Sequence, residues 1–424
     1  MLNKFINGFS SSDFFKNVVT LVSGFAIAQV IPLILSPVLT RVFTTKDFGL
    51  LGAYTGLSAI LAVFAAGRYD FSIIEPKHDK DAKNLIVSSF FFTIAYCFIL
   101  LLIAIFFNEK IALLIGNIDI KWWLYLIPFS VFLISNISTL SYWLNRKKLY
   151  KEKSTSKIIS SSSVTLSSLL IGIVTRLNGL ILGTIIGQVF NIFYLYKKAS
   201  LKGDYFNKKR SLVLLKRYKE YPRYLMFATF TGAIASNAPV ILFTSYFDAS
   251  IAGCYALSQR ITSGTVTMIG NAIGEVYRQK ASENYASFGN CKELFVQTFK
   301  RLFLMGIVPF LVLFFFSETM FVFVFGDEWL IAGTMTKYLS FSIFLNFLST
   351  PLSYTIVFNK SQRGDMFLQI FRAAFSIFAI YIGYTMADYV VSVKLYTLTY
   401  SVYYIFHTLL QYRSASGYKK LKFL

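Results

Sequence analysis

The sequence predicts an all-α polytopic membrane protein with twelve transmembrane helices in two six-helix lobes. Three observations predict this fold class: the composition, the placement of the Lys and Arg residues, and a short repeat about half a chain apart. Of the 424 residues, 55% are hydrophobic and only 15% are charged, whereas soluble domains carry about 25% charged residues. Such a chain needs lipid around most of its helices.

Twelve apolar runs alternate with charged or polar breaks. Each run is long enough to cross a bilayer as a helix, which takes about 20 residues. The fifth and sixth runs are separated only by TRLN at 175–178. The first run has no compact signal-peptide pattern, so we expect it to remain as a helix. The predicted spans are 18–39, 49–67, 85–107, 122–144, 158–175, 178–196, 224–246, 251–275, 299–317, 333–358, 366–386 and 389–411.

The Lys and Arg residues fall mostly in alternate breaks. One set of breaks, beginning with the N-terminus, carries 34 of them, and the other set carries six. Short positive loops face the cytoplasm, so both termini are predicted to be cytoplasmic. The net charge of +22 is then explained by loops facing anionic lipid, and no nucleic-acid partner is expected.

A short repeat relates the two halves of the chain. AIAQVIP at 26–32 returns as AIASNAP at 233–239, and FTTKDFG at 43–49 returns as FDASIAG at 247–253. Six spans separate the copies, so both halves enter the membrane in the same sense. We therefore expect parallel repeats about an axis along the membrane normal. The predicted divisions are a lobe at 1–196, a basic cytoplasmic linker at 197–223, a lobe at 224–411 and a basic tail at 412–424.

The sequence gives no sign of cofactor, metal or catalytic chemistry. Cys97, Cys254 and Cys291 follow no metal or disulfide spacing, and the two histidines, His78 and His407, are far apart. No extracytoplasmic break is long enough to hold catalytic groups, so we expect no enzyme activity. A two-lobed helical protein of this kind is typical of transporters that alternate access between the two sides of the membrane.

Two segments resemble a known family. SPVLTRVFTTKDFGLLGAYTG, with GRYDFSII further on in 36–84, resembles the N-terminal signature of Wzx-type O-antigen and polysaccharide flippases. These belong to the same superfamily as the MATE drug exporters and the lipid II flippase. GCYALSQRITSGTVTMIGNAIGEVYRQKASE at 253–283 resembles the matching segment of the second half.

The resemblance implies a MATE-like fold and a lipid-linked cargo. That cargo is undecaprenyl-pyrophosphate-linked oligosaccharide, an O-antigen or other surface polysaccharide repeat unit used in lipopolysaccharide biosynthesis. The implied activity is its translocation from the cytoplasmic to the periplasmic leaflet of the bacterial cytoplasmic (inner) membrane. Membrane lipids, polysaccharide polymerase and chain-length machinery are the implied partners.

A polar stripe on the eighth helix is the candidate path for such a cargo. Its residues lie at steps that share one helical face, and they include hydroxyl and amide groups that suit sugars. Gln29 on the first helix and Asn237 on the seventh add amides beside Pro32 and Pro239, which we expect to break their helices at a cavity. The stripe contains Arg260, Ser263, Gly264, Thr267, Asn271 and Gly274.

Arg260 is the sharpest candidate. It lies nine residues into the predicted helix, roughly 13 Å deep, near the middle of a hydrocarbon core about 30 Å thick. An arginine at this depth faces a cavity or a partner. Contact with the cargo phosphates is one interpretation, and a structural pair with an acid or a carbonyl is the other.

The other cations have competing interpretations. Lys394 and Arg372 are path candidates that can also reach the outer and the cytoplasmic surface. Arg41 is a candidate for holding Asp47 or acidic lipid. Arg68 and Asp70 are candidates for a gate pair at the inner end of the second helix, and His407 is interpreted as interfacial rather than as a proton carrier.

Other function classes are weighed against the flippase. A MATE-type antiporter of small organic cations needs a buried carboxylate in the N-terminal lobe, and the first two helices have none before Asp70. A polymerase or ligase needs a large periplasmic loop, which is missing. A flippase for another cell-wall precursor, lipid II or teichoic acid, stays open because the chemistry beside the phosphates is shared.

Overall fold

Among the described residues the fold contains twelve long α-helices, as the sequence predicts. The computed structural model describes residues 13–175, 178–201, 206–358 and 362–417, and within them there is no strand. Each long helix overlaps one predicted span, so the all-α fold class is confirmed. The helices are α1 Asp13–Val42, α2 Thr45–Ala65, α3 Asp79–Ile115, α4 Ile127–Arg146, α5 Tyr150–Thr175, α6 Gly179–Ala199, α7 Met226–Tyr246, α8 Ala249–Phe288, α9 Lys292–Phe325, α10 Leu330–Ser349, α11 Gln362–Thr385 and α12 Tyr389–Ala415.

Several helices run well past the predicted spans. The 40 residues of α8 extend about 60 Å, twice the thickness of a hydrocarbon core of about 30 Å. The 37 residues of α3 and the 34 of α9 are also longer than the membrane requires. Hydropathy marks only the part of a helix that lies in lipid, so the predicted bounds stop where charged residues begin.

The tenth predicted span, 333–358, is broken in the structure. The helix α10 ends at Ser349, a 3-10 turn covers Thr350–Leu352, and a short helix follows at Thr355–Phe358. Pro351 lies in the turn and has no N–H to continue an α-helix. One apolar run therefore contains two helical pieces.

Nine of the described helices are long and apolar enough to cross a membrane, judged by length and composition. The three remaining long helices are α8, α10 and α12. They pack on one another, since α10 contacts both α8 and α12. Helices that cover each other can carry polar residues that lipid would penalise.

The chain forms two compact units. Unit 1 comprises 1–43 and 50–233, and unit 2 comprises 44–49 and 234–424. The predicted linker 197–223 belongs to unit 1, where it contains a helix at Lys208–Arg217. On that helix Leu214 is buried and Arg210 pairs with Asp81 at 2.7 Å. The predicted lobe boundaries stay a prediction.

Unit 1 packs its helices through a mainly apolar interior. The helix α5 contacts α1 and α6, and α4 contacts α3 and α6. Tyr54 of α2 is fully buried in this interior, with its hydroxyl 2.7 Å from the hydroxyl of Ser130. Trp143 donates its indole N–H to the Ala199 carbonyl at 3.0 Å. The hydroxyl of Tyr54 and the indole of Trp143 thus each have a partner on another helix, as an apolar surrounding favours.

Pro32 and Pro239 do not break their helices, which corrects the expectation from the sequence. Both α1 and α7 continue through them. A proline inside a helix leaves the carbonyl four residues earlier without its N–H partner. Those carbonyls belong to Ala28 and Ala235, which correspond in the first repeat.

Hydroxyl groups from other helices replace the missing donors. Ser161 of α5 donates to the Ala28 carbonyl, and Tyr400 of α12 donates to the Ala235 carbonyl at 2.9 Å. Side chains of neighbouring helices are the usual means of tolerating proline within a membrane helix. The first repeat therefore marks the same backbone solution in both units.

The second repeat makes a close backbone approach inside unit 2. A Cβ on Gly49 would lie 1.8 Å from the Ala249 carbonyl oxygen, and one on Gly253 would lie 1.8 Å from that of Thr45. In the repeat Thr45 corresponds to Ala249, and Gly49 to Gly253. Each copy therefore sets its glycine against the first helical residue of the other copy, which only a residue without Cβ allows.

Candidate functional site

A chain of polar contacts joins α8 to α12 inside unit 2. Ser263 donates to the side-chain oxygen of Gln259. The Gln259 amide donates to the hydroxyl of Tyr255 at 3.0 Å, and Tyr255 donates to that of Tyr396 at 3.1 Å. Tyr255 and Tyr396 are buried. The predicted path residue Ser263 is thus part of an ordered network rather than an isolated hydroxyl.

Aromatic rings continue this network towards α11. The rings of Tyr396 and Tyr400 lie 4.4 Å apart. The guanidinium of Arg372 lies 5.3 Å from the ring of Tyr400 and 4.6 Å from that of Tyr403. Tyr403 in turn stacks on the ring of His407 at 5.3 Å. We call the side chains linked by these contacts the unit 2 network. Its members are Ser263, Gln259, Tyr255, Tyr396, Tyr400, Arg372, Tyr403 and His407.

Arg372 is therefore held by tyrosine rings. A guanidinium over an aromatic face is stabilised by the ring quadrupole, and more so away from water. Its Nε atom is buried and has no hydrogen-bond partner within the described residues. Arg372 keeps unused donor capacity beside rings that suit the faces of sugars.

Arg260 is the one predicted path cation of α8. It lies eleven residues after the start of the helix, about 16 Å along the axis. The helix begins at Ala249 because the Asp248 carboxylate caps it by accepting from the Ile251 N–H at 2.9 Å. Arg260 is partly buried and, among the described residues, has neither hydrogen bond nor ion pair.

The two interpretations of Arg260 stay predictions, but its surroundings within the described part of the chain bear on them. A structural arginine would pair with an acid or cap a carbonyl, and no such contact occurs there. A guanidinium at membrane depth without a protein partner needs water or an anion beside it.

The remaining predicted path residues of unit 2 are less defined. The side chains of Thr267 and Asn271 lie outside the described residues, so the lower half of the stripe stays a prediction. Asn237 is half-buried on α7. Lys394 is exposed, with its ammonium 4.9 Å from the ring of Tyr338 on α10.

The unit 1 candidates are not part of the unit 2 network. Gln29 is half-buried on α1, and Arg41 is exposed at the end of that helix. The Asp47 carboxylate accepts from the backbone N–H and the hydroxyl of Thr44, at 2.9 and 2.8 Å. The pairing of Arg41 with Asp47 or with acidic lipid stays a prediction.

Arg68 and Asp70 have separate partners. Arg68 donates from Nε to the Thr229 hydroxyl at 2.9 Å, and Asp70 accepts from the Ser138 hydroxyl at 2.8 Å. Burial raises the pKa of the Asp70 carboxyl, against the opposing effects of the Ser138 hydrogen bond and the Arg68 charge. The two side chains form no direct ion pair in the described structure, so their role as a gate stays a prediction.

Sequence reasoning missed the tyrosines of α12. Tyr396, Tyr400, Tyr403 and Tyr404 are spaced as neighbours on one helical face. In an 18% aromatic chain, that spacing did not stand out from ordinary lipid-facing residues. Burial separates the two possibilities, because all four are buried or half-buried.

The interpretation of His407 as an interfacial residue stays a prediction, and the structure adds a close partner for its ring. It is buried on α12, with its Nε2 atom 3.1 Å from Oδ1 of Asp365 on α11. The sequence could not pair these residues, because 42 positions and the turn between two helices separate them.

The model of one protein family matches most of the chain. That family is described as polysaccharide biosynthesis protein, and the match covers residues 38–334. The chain belongs to this family. The match includes α2 to α9, and with them Arg68, Asp70 and Arg260.

Solved structures of transporters share the fold of this polysaccharide biosynthesis protein. The lipid II flippase MurJ in an inward closed conformation aligns with a TM-score of 0.77 and 14% identity, over 92% of this chain and 87% of its own. The MATE multidrug transporter DinF-BH aligns with a TM-score of 0.64 and 14% identity, over 97% and 98%. A MOP superfamily transporter from Pyrococcus furiosus gives 0.57 and 14%, over 96% and 97%.

These likenesses establish the fold, and the nine described helices that are long and apolar enough to cross a membrane support a membrane setting. At 14% identity they show shared architecture and not a shared cargo. A comparison with curated protein sequences gives no match. The family member described here is thus a multi-pass membrane protein with the fold of the MurJ and MATE transporters.

Proposed function

We propose that the protein is a flippase for lipid-linked oligosaccharide. It moves an undecaprenyl-pyrophosphate-linked repeat unit from the cytoplasmic to the periplasmic leaflet of a bacterial inner membrane, by alternating access. The observation that carries the proposal is membership of the polysaccharide biosynthesis family over residues 38–334. The fold of a lipid II flippase, with a TM-score of 0.77, supports a lipid-linked cargo.

The described side chains supply what this cargo needs. A pyrophosphate carries negative charge that hydrocarbon excludes, and an arginine can bind phosphate oxygens in a bidentate fork. Arg260 has that capacity free within the described structure. The tyrosine rings around Arg372 offer apolar faces and hydroxyls, the combination that suits a sugar.

The topology proposed for this activity places both termini in the cytoplasm. The 34 to 6 distribution of basic residues between alternate breaks supports it. A polysaccharide polymerase and chain-length machinery would receive the cargo on the periplasmic side.

No group of three His, Cys, Asp or Glu able to hold a metal ion occurs among the described residues.

A deletion strain tests the function directly. Without the protein, the lipid-linked oligosaccharide should accumulate in the cytoplasmic leaflet, and the surface polysaccharide should be lost. Mass spectrometry of extracted lipids identifies the glycan, and a membrane-impermeant lectin reports the leaflet. Expression of the wild-type chain should restore export.

Two results would redirect the proposal. If lipid II rather than an oligosaccharide accumulates, the alternative left open by the sequence is correct. The protein is then a flippase for another lipid-linked cell-wall precursor. If no lipid accumulates but resistance to organic cations falls, the protein is a small-molecule antiporter, as the MATE-like fold permits.

A further inference from the structure

A buried polar cluster lies where the helix α10 breaks. At this break the backbone carbonyl of Ser349 accepts from the side-chain amide of Gln411 at 3.0 Å. The same amide lies 3.1 Å from the Ser349 hydroxyl and 2.9 Å from Nδ1 of His407. Interrupted membrane helices whose backbone is satisfied by neighbours mark ion and substrate sites in transporters.

His407 has a defined partner on each ring nitrogen. Nδ1 lies 2.7 Å from the Ser349 hydroxyl, and Nε2 lies 3.1 Å from Oδ1 of Asp365. The other Asp365 oxygen accepts from Gln369 at 2.9 Å. His407, Ser349 and Gln411 are buried, and Asp365 is half-buried.

These contacts fix the tautomer of the neutral ring. The Gln411 amide must donate to the Ser349 carbonyl, which can only accept, so its nitrogen faces Nδ1 as a donor. Nδ1 therefore accepts, and the proton of the neutral ring lies on Nε2, the nitrogen that is 3.1 Å from Oδ1 of Asp365. The partner of one nitrogen decides the state of the other.

A second proton can enter only at Nδ1. The Ser349 hydroxyl can rotate to accept from the new N–H, because a hydroxyl serves as donor or acceptor. The Gln411 amide cannot, since two N–H groups would then face each other at 2.9 Å. Protonation of His407 therefore displaces Gln411 and weakens its bond to the break in α10.

Among the described residues, the charged side chains near the ring come from α11. From α11 the ring faces the Asp365 carboxylate, and Arg372 lies beyond the stacked ring of Tyr403. From α10 and α12 it faces Ser349, Tyr403 and Gln411, which carry no formal charge. Side chains at 357–363 lie outside the described residues.

We propose that His407, with Asp365 and the α10 break, forms a proton-binding site that regulates transport. Histidine is the side chain that ordinarily changes charge between about pH 5 and 8. When the second proton binds, the hydrogen bond from Gln411 of α12 to Ser349 of α10 weakens. The unit 2 network connects this site to α8. Proton binding stands on the geometry alone, whereas its effect on transport rests on the proposed function.

The proton site is tested by NMR on the full chain in detergent micelles. The chain has two histidines, so a His78→Gln background leaves the ring of His407 as the sole histidine signal. At high pH we expect the Nε2–H tautomer, and at lower pH a second proton at Nδ1. Adding Asp365→Asn should change the midpoint, because the carboxylate 3.1 Å from Nε2 is gone.

Three results would overturn the site. They are an Nδ1–H tautomer, a ring that never gains a second proton while the chain stays folded, or an unchanged midpoint with Asp365→Asn. If Asp365→Asn does not fold, Ser349→Ala replaces it. Loss of the hydroxyl that accepts from Nδ1 should also change the midpoint.

Regulation is tested with the protein in proteoliposomes that contain a fluorescently labelled lipid-linked oligosaccharide. The wild-type flipping rate should change severalfold between pH 6 and pH 8, and His407→Gln should remove that change. His78→Gln, on an exposed residue, should keep it. A wild-type rate that does not vary with pH overturns regulation, whereas a wild-type chain that flips nothing at either pH overturns the proposed function and leaves the NMR result to decide the site.

Discussion

At the residue scale, Arg372 and Arg260 differ in whether other side chains contact the guanidinium, and this difference bears on their roles. Arg372 lies against the rings of Tyr400 and Tyr403, which offset part of the cost of placing a cation away from water. Arg260 has no partner among the described residues of its own unit or elsewhere. An unpaired cation is expensive to keep in a membrane protein, so its retention favours a function.

We predict that Arg260 contacts the phosphates of the cargo. Arg260→Ala should lower export about tenfold or more, because a hydrogen bond to a charged group contributes roughly 1.5–3 kcal/mol. Arg260→Lys should keep part of the activity and Arg260→Glu should lose it most fully. Export is measured as surface polysaccharide in the complemented deletion strain.

The control for this series is Arg413→Glu. Arg413 is exposed in the last turn of α12, so the same charge change there should leave export intact. Membrane levels of all variants should stay normal, since a structural arginine would lower abundance instead. Export at the wild-type rate with Arg260→Glu would exclude the residue from the path.

At the element scale, each of Pro32 and Pro239 removes a backbone hydrogen bond, and a hydroxyl of another helix replaces it. Pro239 leaves the Ala235 carbonyl without a backbone donor, and Tyr400 of α12 supplies a hydroxyl at 2.9 Å. Ser161 does the same for Ala28 below Pro32. The stability of α7 therefore depends on a residue that hydropathy assigns to another helix.

A double-mutant cycle can measure this dependence. Tyr400→Phe should lower the stability of the solubilised protein by about 1 kcal/mol, because the Ala235 carbonyl loses its donor. In a Pro239→Ala background the backbone N–H of residue 239 returns as a donor to that carbonyl. Tyr400→Phe should then cost much less, as measured by thermal unfolding.

Tyr381→Phe provides the reference for that cycle. Tyr381 is 46% exposed, so removal of its hydroxyl should change stability little in either background. An equal cost of Tyr400→Phe with and without Pro239 would show that the hydroxyl acts elsewhere.

At the scale of the whole molecule, charge sets the orientation in the membrane. We predict twelve spans with both ends in the cytoplasm, because insertion retains positive loops on that side. Reporter fusions at Lys208 and at Lys420 should be active as cytoplasmic reporters and silent as periplasmic ones. A fusion at Lys110 should behave in the opposite way, and periplasmic activity at Lys208 would refute the topology.

The sequence by itself determined the elements and the class of the protein. Twelve apolar runs predicted the twelve long helices, because burial in lipid is a property of each segment and its hydropathy is local. The charge distribution predicted orientation, and the segments around Arg41, Asp70 and Arg260 pointed to a polysaccharide flippase. The repeat located Pro32 and Pro239 at corresponding positions.

Only the tertiary structure decided which side chains meet. Periodicity places a residue on a helical face, but it does not say which helix covers that face. The sequence therefore did not pair His407 with Asp365, expected breaks at Pro32 and Pro239, and missed the break at Ser349. Each outcome depends on a partner far along the chain, such as Gln411 for Ser349 or Tyr400 for Ala235, and such partners are selected by how the helices pack.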